Sequence, residues 1–278
     1  MNKRTFPNIS QGILLILLYF LPSGLFLFLT LTVPQLFGYQ LPFLYVTINS
    51  IIAATAGLLP IIIYINRKSG VSFKWTVRLP KIYAIILLAF LTSSVVIITG
   101  PLNNPTEFIN NLSGGRMLMI NFQLTEIDLN KVIFLIGTVL ITPVFEEILF
   151  RKQILGLLLQ KNSPAVSIII SSVLFSLVHL RINDLVILFI WGILFGIVYY
   201  MTKSIEHSII LHSLSNVSSF IIGHKFVEIT GMLILKYILI LAGCLLVIFL
   251  ILRYFIKNFK MNISEVGSSQ GQNNNVLN

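Results

Sequence analysis

The stretch VIFLIGTVLITPVFEEILFRKQ, residues 132–153, joins an apolar run of bilayer-spanning length to Glu146, Glu147 and Arg151. Crossing the hydrocarbon core as an α-helix takes about 20 apolar residues. A charge within that core costs at least about 2.5–3.5 kcal/mol on insertion scales, so two adjacent carboxylates there require a partner, a proton or water. The stretch therefore predicts a transmembrane helix with a polar site at its end.

The composition of the whole chain is that of a membrane protein. Of the 278 residues, 56% are hydrophobic and only 10% are charged, and the mean hydropathy is +0.94, far from the balance of a soluble domain. Eight apolar stretches approach the length of a span. They are residues 11–32, 44–65, 82–100, 132–150, 164–180, 185–202, 205–222 and 232–256. The sequence thus predicts an all-α, polytopic transmembrane helix bundle of about eight spans.

The net charge of +10 reflects how lysine and arginine are distributed over the loops. With eight spans and a cytoplasmic N-terminus, 14 of the 19 basic residues fall inside and 5 outside. This asymmetry follows the positive-inside rule and predicts that both termini are cytoplasmic. The cations do not form one stripe, so the predicted partners are membrane lipids, and nucleic acid is excluded. The predicted location is a cell membrane, and the Ile-, Lys- and Asn-rich composition is typical of a bacterium.

The chain divides into four predicted segments. They are residues 1–130 with the first three spans and their loops, 131–222 with the helices that carry the polar motifs, 223–260 with the last span, and 261–278, a polar tail expected to be disordered. The basic loop 66–81 is predicted to rest on the inner headgroups. The long loop 101–131 either covers the bundle, for instance as an interfacial helix, or is flexible.

Helical geometry separates the two adjacent glutamates. Glu147 and Arg151 are four residues apart with the acid first, which is the favourable order for an ion pair. Glu146 is rotated by about 100° and lacks this partner, which favours a role as general base in a partly dry site. Pro143 removes a backbone hydrogen bond just upstream, and we expect it to kink the helix and make space for water beside Glu146.

Two further pairs of residues follow on the next helical segments. His179 comes one turn after Phe175 and is either functional or a neutral imidazole bonded to a nearby serine. His212 and Asn216, also one turn apart, suit either an oxyanion or an interhelical polar clamp. Each pair alone is a weak signal, whereas their order on three consecutive segments is specific.

The motifs E-E-x-x-x-R, F-x-x-x-H and H-x-x-x-N, in this order, resemble those of the CPBP family, the CAAX-prenyl-protease and bacteriocin-processing (Abi) intramembrane proteases. The resemblance covers roughly residues 130–222, and no key position is substituted. It implies a protease site within the membrane, in which Glu147 and Arg151 form a supporting ion pair. Residues 131–222 would then be the catalytic core.

The resemblance also implies the roles of the remaining residues. Glu146 would activate a water with the help of His179, while His212 and Asn216 would stabilise the oxyanion of the scissile amide. Proteins of this kind are commonly labelled metalloproteases, and Glu146, His179 and His212 could hold Zn²⁺ with a water as fourth ligand. There is no H-E-x-x-H motif, and we expect a site that requires no cofactor, with zinc as the alternative.

Two glycines on the sixth apolar stretch, Gly192 and Gly196, form a small-x-x-x-small stripe. Such a stripe favours close packing of two membrane helices. This packing role is strongly favoured over phosphate binding, because the sequence there lacks both the strand and the lysine of a phosphate loop.

Three functions are compatible with these patterns. The first is an intramembrane endopeptidase that cleaves a hydrophobic, lipidated or membrane-delivered peptide or protein near the cytoplasmic leaflet. The second is a non-enzymatic bacteriocin self-immunity or regulatory protein that binds through the same polar cleft, and it predicts that Glu146→Gln leaves the phenotype intact. A transporter is less favoured, since the first three spans contain no charged residue to line a path.

Overall fold

The computed structural model describes residues 9–69, 79–122, 128–160, 162–179 and 182–272. Its α-helices are α1 (Ile9–Leu27), α2 (Val33–Leu36), α3 (Phe43–Ser69), α4 (Ile82–Thr99), α5 (Pro105–Ser113), α6 (Leu129–Leu135), α7 (Thr142–Glu147), α8 (Gly156–Leu158), α9 (Pro164–Val178), α10 (Leu185–Thr202), α11 (Ile205–Ile221) and α12 (Gly231–Gln272). Other helical turns are the π-helical segments Phe28–Thr32, Ile136–Ile141 and Ile148–Leu155 and the 3₁₀ segments Gly100–Leu102 and Ile182–Asp184. Residues 70–78 of the basic loop and 273–278 of the polar tail lie outside the described residues.

Five helices within the described residues are long and apolar enough to cross a membrane. They are Ile16–Leu36, Ile82–Leu102, Lys131–Leu158, Ile182–Thr202 and Gly231–Asn258. The protein is therefore a mostly helical, multi-pass membrane protein. The count of eight spans stays a prediction, because some of the other apolar stretches form shorter helices. For example, α9 has 15 residues and is about 22 Å long, at 1.5 Å per residue.

Two of the π-helical segments end two residues before a proline. In each, the N–H of the residue preceding the proline donates to the carbonyl five residues back, the pairs being Val33 to Phe28 and Thr142 to Gly137. Pro34 and Pro143 come next. A proline ring clashes with the carbonyl four residues back in a regular α-helix, and the wider π turn relieves that clash. The disturbance predicted at Pro143 is therefore a stretch of π-helix.

The helices around the polar motifs pack at very short range. A Cβ added to Gly192 of α10 would lie 3.0 Å from Cα and Cβ of Ser172 on α9, so the close packing predicted for the glycine stripe is confirmed. The hydroxyl of Ser171 donates to the carbonyl of Phe150 at 3.1 Å. These contacts join α9 to α10 on one side and to the helix of the two glutamates on the other.

A two-stranded antiparallel sheet departs from the all-α prediction. Strand β1 (Arg116–Phe122) pairs with β2 (Ile222–Glu228) along their full lengths. The first strand contains the buried residues Met117 and Leu118 and follows α5, so the long loop is ordered over 105–122. The second strand begins where α11 ends. The apolar pattern of 205–222 did not distinguish the end of a span from the first residue of a strand.

Candidate active site

The acidic pair sits at the end of α7, between two π-helical segments of the spanning helix Lys131–Leu158. His179 caps the C-terminus of α9, and His212 lies within α11. Side chains from three separate helices, 32 or more residues apart in the chain, are thereby brought to one place. π-Helical turns occur frequently at functional sites.

Glu147 is completely buried and is held by three different side chains. Its Oε2 lies 3.0 Å from Nε of Arg151, also completely buried, and accepts a 2.8 Å hydrogen bond from the hydroxyl of Ser208. Its Oε1 lies 3.0 Å from Nδ1 of His212. Because a carboxylate only accepts hydrogen bonds, Nδ1 of His212 carries a proton. Glu147 thus fixes both the position and the tautomer of this histidine.

Arg151 is surrounded by aromatic rings. Its guanidinium carbon lies 4.7 Å from the ring centroid of Phe175, 5.3 Å from that of Phe195 and 5.9 Å from that of Phe150. None of its nitrogens makes a well-aligned hydrogen bond with the described residues. Ring faces and one carboxylate therefore replace water around the cation, an arrangement that stabilises a buried arginine.

Glu146 faces away from this pair and towards two imidazoles. Its Oε2 lies 3.8 Å from Nε2 of His179 and 3.8 Å from Nε2 of His212. That oxygen is buried and has no hydrogen-bond partner among the described residues. The Nδ1 of His179 lies 2.7 Å from the carbonyl of Phe175, so it is a donor. In the neutral form of each histidine, the Nε2 lone pair therefore points towards Glu146.

Three acceptor atoms thus face one another when Glu146 is ionised. A distance of 3.8 Å is too long for a direct hydrogen bond and short enough for one water to reach both atoms. Imidazole nitrogen and carboxylate oxygen are also ligands of zinc. However, no group of three or more His, Cys, Asp or Glu side chains in the described part of the chain has metal-binding spacing. The metal-independent site expected from the sequence stays a prediction, with zinc as its alternative.

Asn216 lies one helical turn beyond His212 and is oriented by the spanning helix. Its Nδ2 donates to the carbonyl of Thr138 at 2.7 Å, and its second amide N–H makes no hydrogen bond with the described residues. The structure brings together five of the six residues singled out in the sequence. Asn216 is beside them, and it makes no described contact with Glu146.

Several residues at the site carry no signal in the sequence. Ser208 is one of many serines in the chain, and only packing brings it to Glu147. Phe195 stacks on His212 with ring centroids 4.6 Å apart and planes at 20°. Tyr19, from α1, is buried and interacts electrostatically with Glu146. A first span that shares no motif with the core thus contributes to the surroundings of the candidate base.

Comparison with known families agrees with this geometry. Residues 128–218 match the family model described as Type II CAAX prenyl endopeptidase Rce1-like, a segment that contains all six candidate residues. Over this segment, the chain is similar to the Rce1-like family. This similarity and the membrane-spanning helices together indicate a membrane peptidase.

Two bacterial proteins are similar to this chain. The membrane-embedded CAAX protease MroQ of Staphylococcus aureus (strain USA300) is 29% identical over 214 residues, which are 74% of this chain and 85% of the relative. YdiL of Bacillus subtilis (strain 168), named as a membrane peptidase, is 34% identical over 84 residues, 30% of this chain and 34% of the relative. No solved structure matches the chain.

Proposed function

We propose that this protein is an intramembrane endopeptidase in which Glu146 is the general base. The observation that carries the proposal is the buried Oε2 of Glu146, unpartnered among the described residues and 3.8 Å from Nε2 of His179 and of His212. A buried carboxylate oxygen without a donor is costly, and such atoms mark reactive sites. One water held there would satisfy it.

The proposed reaction begins with that water. Glu146 removes one proton as the water oxygen attacks the scissile carbonyl, and His179 accepts a hydrogen bond from the other hydrogen. The backbone contact of His179 to Phe175 holds its ring with Nε2 towards the water. One C–O bond forms, and the carbonyl oxygen becomes an oxyanion.

The oxyanion requires donors, and two side chains of α11 can supply them. The free amide N–H of Asn216 is one. His212 donates through Nε2 only when doubly protonated, because Nδ1 already donates to Glu147. The carboxylate of Glu147 stabilises that cation. The intermediate then collapses, the C–N bond breaks, and Glu146 returns its proton to the leaving amine.

We propose substrates that reach the site from the lipid phase, and membrane lipids as the other partners. The name CAAX protease carried by MroQ supports a lipidated C-terminal peptide as one probe. The many exposed apolar side chains of the spanning helices, such as Leu25, Phe90 and Leu245, support a hydrophobic approach route. Both relatives are bacterial, which supports a bacterial cell membrane as the location.

The test is proteolysis by the purified protein in phosphatidylglycerol–phosphatidylethanolamine vesicles. The probes are a farnesylated CAAX peptide, the same peptide without the lipid, and a single-span membrane protein, with products read by mass spectrometry in ¹⁸O-labelled water. Hydrolysis adds one labelled oxygen to the new C-terminus. Glu146→Gln is expected to abolish cleavage, whereas Glu107→Gln, the same change at an exposed site on α5, retains it.

The outcome also separates catalysis from binding. If Glu146→Gln cleaves at the wild-type rate, the general-base assignment is wrong. If Glu146→Gln loses cleavage in vesicles but preserves the biological phenotype, the protein acts in the cell by binding, as a self-immunity or regulatory protein would.

We also propose eight spans with both termini in the cytoplasm. The charge asymmetry of 14 basic residues against 5 supports this arrangement. Single cysteines placed in each loop of a Cys244→Ser background report the topology through labelling with a membrane-impermeant maleimide. Labelling of residues 261–278 from outside intact cells would refute a cytoplasmic C-terminus.

A further inference from the structure

We infer that Pro143 is a positioning residue for Asn216, because the nitrogen it lacks leaves the carbonyl of Thr138 available to the Asn216 amide. The inference rests on the proposed function, since a fixed Asn216 affects hydrolysis only if its amide faces the oxyanion. It assigns to the proline a role distinct from bending the helix.

The backbone register identifies the carbonyl that the proline leaves free. Thr142 N–H donates to the carbonyl of Gly137, five residues back, at the end of the π-helical segment Ile136–Ile141. With the same spacing of five residues, the backbone nitrogen of residue 143 would donate to the carbonyl of Thr138. That nitrogen belongs to Pro143, which has no N–H. The residue type at 143 therefore determines whether Thr138 has a backbone donor.

A side chain from another helix donates a hydrogen bond to the free carbonyl of Thr138. Nδ2 of Asn216 donates to the oxygen of Thr138 at 2.7 Å, a short bond for an amide donor. It joins α11 to the helix that carries Glu146. Because a planar amide has two N–H groups at a fixed angle, anchoring one of them fixes the direction of the other.

The first span provides an internal comparison. There, Val33 N–H donates to the carbonyl of Phe28, five residues back, and Pro34 follows. The carbonyl that corresponds to Thr138 belongs to Leu29, and no side chain donates to it within the described residues. The same backbone arrangement therefore exists without a catalytic partner, which makes Pro34→Ala the matched control for Pro143→Ala.

The experiment is a double-mutant cycle on the full-length protein in vesicles, with the probe that the wild type cleaves. Loss of one oxyanion donor lowers kcat by about 100- to 1,000-fold, as expected for Asn216→Ala. Pro143→Ala gives Thr138 a competing backbone donor and is expected to lower kcat by about 10- to 100-fold, with KM little changed. The double variant should match Asn216→Ala within about twofold, because independent effects would multiply instead. Pro34→Ala should retain the wild-type kcat.

A backbone variant separates the missing N–H from the proline ring. Lactic acid at position 143, the ester analogue of alanine, has neither a ring nor an N–H. It should restore the activity that Pro143→Ala loses. If the ester analogue is as slow as Pro143→Ala, the ring itself matters and the inference is wrong.

Thermal unfolding provides a readout that does not depend on activity. Asn216→Ala should lower the midpoint in the wild-type background and leave it unchanged in the Pro143→Ala background, where the carbonyl has another donor. Equal shifts in both backgrounds would overturn the inference. If Asn216→Ala has a normal kcat, the oxyanion role in the proposed function is refuted instead. If Asn216→Ala has a low kcat and Pro143→Ala has the wild-type kcat, only the role of the proline is refuted.

Discussion

The buried ion pair between Glu147 and Arg151 allows a quantitative test of how the site is held together. At 3.0 Å and an effective dielectric constant of about 20, the gross attraction is about 5 kcal/mol. Desolvation of both groups offsets much of it. In Arg151→Met, the carboxylate of Glu147 keeps only Ser208 and His212 as partners. Removing one member of a buried pair is expected to lower the free energy of unfolding by about 3–5 kcal/mol.

The double variant Glu147→Gln/Arg151→Met should be more stable than Arg151→Met alone. It carries no uncompensated charge, so we expect it to recover about 2 kcal/mol or more. It should stay inactive, because the carboxylate that stabilises a doubly protonated His212 is gone. Stability would then recover from the single to the double variant, whereas activity would not.

The assay is reversible unfolding in mixed dodecyl maltoside and sodium dodecyl sulfate micelles, followed by circular dichroism. Arg253→Met, the same change at an exposed position of α12, is the control and should leave the unfolding curve unchanged. If the losses measured for Arg151→Met and for Glu147→Gln simply add in the double variant, the pair is not energetically coupled and the reasoning fails.

Three other predictions concern neighbouring features of the site. Ser208→Ala removes the hydroxyl that donates to Glu147 and should lower the unfolding free energy by about 1–3 kcal/mol, whereas Ser93→Ala, a part-buried serine bonded only to its own helix, should cost less in the same assay. Activity should persist in 1,10-phenanthroline; its loss, with recovery by one equivalent of zinc, would instead establish a zinc site among the three facing side chains. Gly192→Val forces a side chain against the backbone of α9 and should cost roughly 1–3 kcal/mol, whereas Gly243→Val, which has open space around it, should fold like the wild type.

Local spacing predicts the contacts made within one helix. Glu147 and Arg151 are four residues apart, and the structure contains their ion pair at 3.0 Å. The glycine at 192 predicted a close helix neighbour, and one is present. Both inferences require only the period of the helix, so they do not depend on how the helices are arranged.

Contacts between helices are not encoded in local spacing. The bonds from Ser208 and His212 to Glu147 join positions 61 and 65 residues apart, and nothing in a single sequence selects these partners. The resemblance grouped the histidines because it carries information about other sequences. The strand β2 was missed for a different reason: its first residue continues an apolar helical pattern, and its pairing partner lies in a distant loop.

The sheet has a consequence for the order in which the protein is made. Arg116 pairs with Glu228, and every helix of the matched family segment lies between them in the chain. Strand β1 therefore has no partner until residue 228 has been synthesised, after the whole matched family segment. Closing so long a loop is slow compared with forming a helix. During synthesis, the two histidine-bearing helices are thus made before the β1–β2 sheet that follows α11 has formed, and a nascent peptidase is incomplete for that interval.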